Sequence, residues 1–119
     1  MTHVSPESPA LMSSSPASLP QGTKLDQDKP RMDLLDAQWL RDVAQVMTFG
    51  AKKYAAHNWR KGINFSRVIA AAYRHLTAIN NGEDTDPETG LPHSAHLSCC
   101  AMFLNWYLQN RKEFDDRYK

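Results

Sequence analysis

Apolar residues recur at three- and four-residue steps in three separate stretches of the chain, and no run alternates apolar and polar at period two. The first stretch carries Trp39, Val43, Val46, Met47 and Tyr54. Asp36, immediately before Ala37, is a good N-cap for it, and the helix is expected to end near Ala55 or Ala56. The second begins after Asn64 or Ser66, both acceptable caps, and carries Val68, Ile69, Ala72, Leu76 and Ile79. Gly82 then stands where a glycine closes a helix, and the run Ala70-Ala71-Ala72 lets another helix approach closely. The third opens at Pro92, a favourable first-turn residue, with Leu97, Cys100, Ala101, Leu104, Tyr107 and Leu108 as its buried stripe. A shorter turn is expected near Glu113 to Asp116. Trp39 and Trp106 fall in helical stripes and read as core. The pattern predicts an all-α class.

Length adds that this is one domain's worth of chain, 119 residues. Three helices leave much apolar surface uncovered, so self-association is expected. Ten of the first 20 residues are serine or proline. Such a segment has too little apolar surface to offset its ordering entropy, which predicts a flexible tail over 1–22 and a working domain over 23–119. No basic patch followed by an apolar run marks a signal peptide, and no stretch approaches the ~20 apolar residues of a membrane span. A soluble, intracellular protein is expected, with no membrane partner.

The formal net charge of +1 gives no reason to expect nucleic acid as a partner, but its distribution is uneven. Glu83, Asp84, Asp86 and Glu88, four of the 13 carboxylates, fall within six positions that hold no basic residue. Most lysines and arginines precede them, between Lys24 and Arg74. An acidic cluster with a basic region elsewhere in a small domain suits a metal ion and a polyphosphate. Cys99 and Cys100 are adjacent within an apolar helical pattern, where disulfide geometry does not fit, and read as small core residues.

The chemistry is concentrated in two loops. Gly82 to Gly90 presents the carboxylates at the end of the second helix, and His93 and His96 follow in the first turns of the third, three apart on one face. Hard divalent cations take oxygen ligands and are usually held by a few carboxylates plus substrate phosphates. Imidazole suits Mn²⁺, Zn²⁺ or Fe²⁺ better than Mg²⁺. An acidic loop alone is ordinarily just solvated, and a histidine pair alone often bonds backbone; their combination at one helix junction points to a metal. The other loop is His57-Asn58-Trp59-Arg60-Lys61-Gly62. Lys52, Lys53, Arg60, Lys61, Arg67 and Arg74 bind phosphate if they converge and are ordinary surface charges if they do not. Trp59 either stacks on a base, with Asn58 reading an edge, or plugs the space between helices.

Several runs resemble a known family. They are Lys24-Leu25-Asp26-Gln27-Asp28-Lys29-Pro30-Arg31-Met32-Asp33-Leu34-Leu35, Phe49-Gly50-Ala51-Lys52-Lys53-Tyr54, Asn58-Trp59-x-Lys61-Gly62, Arg74-His75-Leu76, and the acidic loop with His93 and His96. In this order they resemble a phage family of dATP/dGTP diphosphohydrolases, related to MazG-like all-α nucleoside triphosphate pyrophosphohydrolases. The resemblance covers roughly Lys24 to Leu104. It implies a short helical bundle of MazG-like type, assembled as a homodimer or homotetramer, that binds Mg²⁺ or Mn²⁺. It implies cleavage of dGTP or dATP, or both, to the monophosphate and pyrophosphate, trimming the nucleotide pool in the host-cell cytoplasm. The MazG-like pattern places Glu-x-x-Glu on one helix and Glu-x-x-Asp on the next. Here His93 and His96 replace the second pair, and Glu83, Asp86 and Glu88 are the available substitutes for the first.

On this reading Glu83, Asp86 or Glu88 ligate metal and one of them serves as general base, with His93 and His96 as further ligands. Lys29, Arg31, Lys52, Lys53, Lys61 or Arg74 hold phosphates, and Asn58 and Trp59 contact the base. The rival is a helical adaptor or nucleotide sensor that binds without hydrolysing, for which four carboxylates beside two histidines have no use.

Overall fold

The computed structural model describes residues 20–119, so the tail expected over 1–22 lies outside the described residues apart from residues 20–22. The described residues fall into two units, 20–31 and a compact unit over 32–119. In the first of these, the described part holds a turn in which the Lys29 amide donates to the Asp26 carbonyl at 3.0 Å.

The compact unit is all-α: α1 (Ala37–Lys53), α2 (Phe65–Asn80) and α3 (His93–Asn110), with short 3-10 turns at Met32–Leu34, Asn58–Lys61 and Lys112–Phe114. Among the described residues no helix is long and apolar enough to cross a membrane. The local reasons for these bounds are visible. Asp36 caps α1 by accepting the Trp39 amide at 2.8 Å. The helix stops at Lys53 rather than Ala55 or Ala56, with Tyr54 as C-cap; Ala55 then takes φ 143° and His57 φ 65°, conformations that L side chains rarely adopt. At the end of α2, Gly82 has φ 91°, its amide bonds the Ile79 carbonyl at 3.0 Å, and the Glu83 amide bonds the Ala78 carbonyl at 2.9 Å. That double bond pattern is a Schellman close, and it sends the chain off the helix at a fixed angle into the acidic loop. Pro92 stands one position before α3, as its N-cap, rather than inside the first turn.

Packing centres on α2 against α3, with α1 laid along α3. Phe65, Val68, Cys100 and Tyr107 form the buried cluster. Trp59, Phe103, Trp106 and Phe114 close around it. The last segment of chain ties this end together. Asp116 accepts the Ser66 amide at 2.8 Å and its hydroxyl at 2.6 Å, capping α2 from 50 residues away. Gly62, at φ 108°, passes so close to Phe114 that a Cβ would sit inside the ring's contact distance. Burial pushes the Cys99 thiol up to about 12, which disfavours the thiolate, and both cysteines are free.

Three sequence expectations need correction. Trp39 is not core: it is 40% exposed, its indole N–H donates to Ser98 Oγ at 2.9 Å, and α1 has no buried residue at all. Leu76 and Leu108 stay exposed, as does Ala101. Phe65, absent from the predicted stripe, is 1% exposed and central. Periodicity identified the apolar faces, but the faces that close on one another within one chain are narrower than the stripes.

Candidate metal and nucleotide site

The acidic loop folds back on itself before it meets α3. The Asp86 amide donates to the Leu91 carbonyl at 2.8 Å and the Gly90 amide to the Asp86 carbonyl at 2.7 Å, while Thr85 and Pro92 form an isolated antiparallel bridge. The His93 amide then donates to the Asp84 carbonyl at 2.9 Å. Asp86 Oδ1 accepts the Glu88 amide at 2.7 Å, which fixes the carboxylate and leaves Oδ2 facing inward, 3.6 Å from His96 Nε2. The side chains of Asp86 and His96 are only 16% and 13% exposed.

A third group joins them. His75, on α2, stacks on His96 with ring centroids 4.7 Å apart and planes 10° from parallel. One donor atom from each of His75, Asp86 and His96 lies within 4.8 Å of the others. Two imidazoles and one carboxylate converging from α2, the loop and α3 make a donor set suited to Mn²⁺, Fe²⁺ or Zn²⁺. Burial is the main cause that lowers the affinity of both histidines for protons; neighbouring His96 and His93 add to it at His75, while Asp86 opposes it at both. Both rings therefore favour the neutral form that can ligate.

His75 was quoted in a motif but not assigned to the site by sequence. The available signal was its place at the 3.6-residue step between Ala72 and Ile79, where a polar ring on an apolar stripe calls for a partner. Of the five residues expected to ligate metal, Asp86 and His96 are in this cluster. His93 is 6% exposed and both its ring nitrogens are engaged: Nε2 with Glu83 Oε2 at 2.8 Å and Nδ1 with His75 Nδ1 at 2.9 Å. Glu83 thus stands behind His93 and is half-exposed. Glu88 reaches the other way, to Lys53 Nζ at 3.3 Å.

The cluster opens on a cavity of about 320 Å³ whose walls are mostly apolar. Lys53, Glu88, Asn58 and Trp59 line it together with His75, Asp86 and His96. The 3-10 turn that carries Asn58 and Trp59 is pinned to α3, because the Tyr107 hydroxyl donates to the Trp59 carbonyl and Arg111 Nε to the Arg60 carbonyl. Trp59 stacks on Phe103 at 4.8 Å, with the Arg60 guanidinium 5.0 Å over the ring. It therefore both plugs the interhelical space and forms a wall. Lys52 and Lys61 line neither this cavity nor its neighbour, and Arg74 lines the neighbouring groove between α2 and α3 with Arg67. Lys29 and Arg31 belong to the preceding segment.

Fold and site together define an all-helical protein with a histidine–aspartate cluster lining a largely apolar cavity. The family model described as dATP/dGTP diphosphohydrolase, N-terminal, matches residues 20–117, and the chain belongs to that family. A protein of Salmonella phage PMBT28 named dATP/dGTP diphosphohydrolase is 40% identical over 96 residues, which is 81% of this chain. The match spans 33% of that relative's length. No solved structure matches the chain.

Proposed function

We propose that this chain is a metal-dependent hydrolase of purine deoxynucleoside triphosphates, converting dGTP, dATP or both to the monophosphate and pyrophosphate in the cytoplasm of a phage-infected cell. The observation that carries the reading is the convergence of His75, Asp86 and His96 in the lining of the cavity. The family's name supplies the substrate class.

The donor set fits a divalent transition ion, and Mn²⁺ is favoured over Mg²⁺ because two of three donors are imidazoles. When bound, the ion would neutralise charge on the phosphates and lower the pKa of an attacking water. The chain's own residues do the rest. Lys53 offers a cation to the outer phosphates, in exchange for its ion pair with Glu88. Glu88, so released, is the carboxylate with the freedom to take a proton from water. The apolar walls exclude bulk water, and the Trp59 edge and Asn58 amide meet the base.

The decisive experiment is chromatography of a dNTP panel incubated with the protein and Mn²⁺ or Mg²⁺. Release of pyrophosphate and monophosphate from dGTP or dATP supports this reading. Turnover of no nucleotide with either metal would leave a binding-only protein.

Asn58 carries a more specific expectation. Its carboxamide has one donor and one acceptor end, so a flip lets it pair with the Watson–Crick edge of either adenine or guanine. A carboxylate at the same place accepts from guanine N1–H and N2–H but cannot donate to adenine N1. Asn58→Asp is expected to raise the dGTP-to-dATP ratio of kcat/KM by ~10-fold or more, since a misfitted polar edge costs about 1–3 kcal/mol. An unchanged ratio in an active variant removes Asn58 from base reading.

Self-association belongs to the same proposal. None of the 17 residues of α1 is fully buried, and Trp39, Leu40 and Phe49 are 40%, 47% and 37% exposed. Apolar surface of that extent on one helix points to a second copy as its cover. Light scattering is expected to give at least twice the 13.5 kDa chain mass; a monomer at micromolar concentration would refute this.

A further inference from the structure

We propose that Glu83 and His93 are positioning residues: they fix the proton on His75 Nδ1 and thereby keep the lone pair of His75 Nε2 free for a metal. The inference rests on the metal-centre reading above and assigns these two residues a part behind the cluster rather than in it.

The argument is a chain of single steps. The Glu83 carboxylate has only acceptor oxygens, and its Oε2 lies 2.8 Å from His93 Nε2, so that nitrogen carries the hydrogen. With that one hydrogen on the ring, His93 Nδ1 holds a lone pair. His75 Nδ1 lies 2.9 Å from it, and two lone pairs do not face each other at hydrogen-bond distance. The hydrogen of that bond therefore sits on His75 Nδ1, and Nε2 keeps the lone pair a metal requires. A ligating imidazole whose second nitrogen donates to an outer partner is the common arrangement at metal centres, and such partners tune affinity. The outer partner here is itself a histidine, 6% exposed and backed by a carboxylate on the loop that supplies Asp86.

This explains why an acidic residue at the helix exit and a histidine in the next helix's first turn coexist without either lining the cavity. The Schellman close at Gly82 holds the Glu83 backbone, and the His93 amide is held by the Asp84 carbonyl. Both ends of the relay are thus fixed by main chain.

Two measurements test it on the full chain. Long-range proton–nitrogen NMR of the metal-free protein is expected to show His75 protonated on Nδ1 and His93 on Nε2. Titration with Mn²⁺ alone is expected to give a 10- to 100-fold weaker affinity for Glu83→Ala. Glu83→Gln, whose amide oxygen can still accept from His93, should recover much of the loss. Because Glu83 is half-exposed, the melting temperature of the metal-free Ala variant should stay near wild type, which separates positioning from folding. Unchanged Mn²⁺ affinity in Glu83→Ala, or a His75 proton on Nε2, overturns the relay while leaving the metal centre standing. Absence of Mn²⁺ binding by the wild type overturns both.

Discussion

Asp86→Asn is expected to lower turnover of dGTP and dATP on the order of a thousand-fold or more while leaving the fold intact. The side chain is 16% exposed and holds two jobs on two oxygens. Oδ1 accepts the Glu88 amide and keeps the loop folded; Oδ2 faces His96 and completes the three-donor cluster. Asparagine has the same volume and keeps one oxygen for the loop. It removes the only anionic donor of the cluster, and a neutral amide holds a divalent ion far less well than a carboxylate. Loss of a single charge-stabilising group commonly costs about 10²–10³ in rate, and on the proposed reading the ion that would supply the stabilisation is lost with it. Asp84→Asn is the matched control, because Asp84 holds the loop through its backbone carbonyl and lines neither cavity. Product chromatography beside a thermal melt decides the matter. Wild-type turnover in Asp86→Asn would show that the cluster is not where the chemistry occurs.

Phe65→Ala is expected to destabilise the chain by about 3–5 kcal/mol. The ring is 1% exposed, stacks on Tyr107 with centroids 6.0 Å apart, and bears the Arg117 guanidinium 5.5 Å over its face. Few residues are fully buried in this domain, so there is little neighbouring core to collapse into the space. Set against the ~5–15 kcal/mol of a typical domain, the loss takes a large part of the total. The effect should reach the site, because Tyr107 also holds the turn of Asn58 and Trp59 through its hydroxyl. A urea titration reports it, and a loss below about 1 kcal/mol would show that the contacts of Phe65 contribute little. Leu25, 80% exposed, offers no such loss by the same substitution.

Family membership and fold agree with what the motifs implied, and the order of elements followed from local chemistry. The three-helix layout came from apolar steps that have one structural solution, and Asp36 and Gly82 mark ends because caps act within a turn. The acidic loop and the two histidines were also legible, since four carboxylates without a basic neighbour stand out in one dimension. What spacing could not deliver was their division of labour. His93 and His96 are three apart and share a face, yet one ring meets Glu83 and His75 while the other meets Asp86 and Thr89. Side chains on one helical face still diverge by tens of degrees, enough at this range to reach different partners.

By itself, then, the sequence determined the class, the caps at Asp36 and Gly82, the family and the neighbourhood of the candidate cluster, because each depends on residues within a turn or a run of one another. Tertiary structure alone brought His75 from α2 to Asp86 and His96, set Glu83 behind His93, turned Glu88 toward Lys53, and left Trp39, Leu40 and Phe49 of α1 exposed. Those outcomes depend on which faces close together and by how much, and a ligand set drawn from three segments exists only once they have.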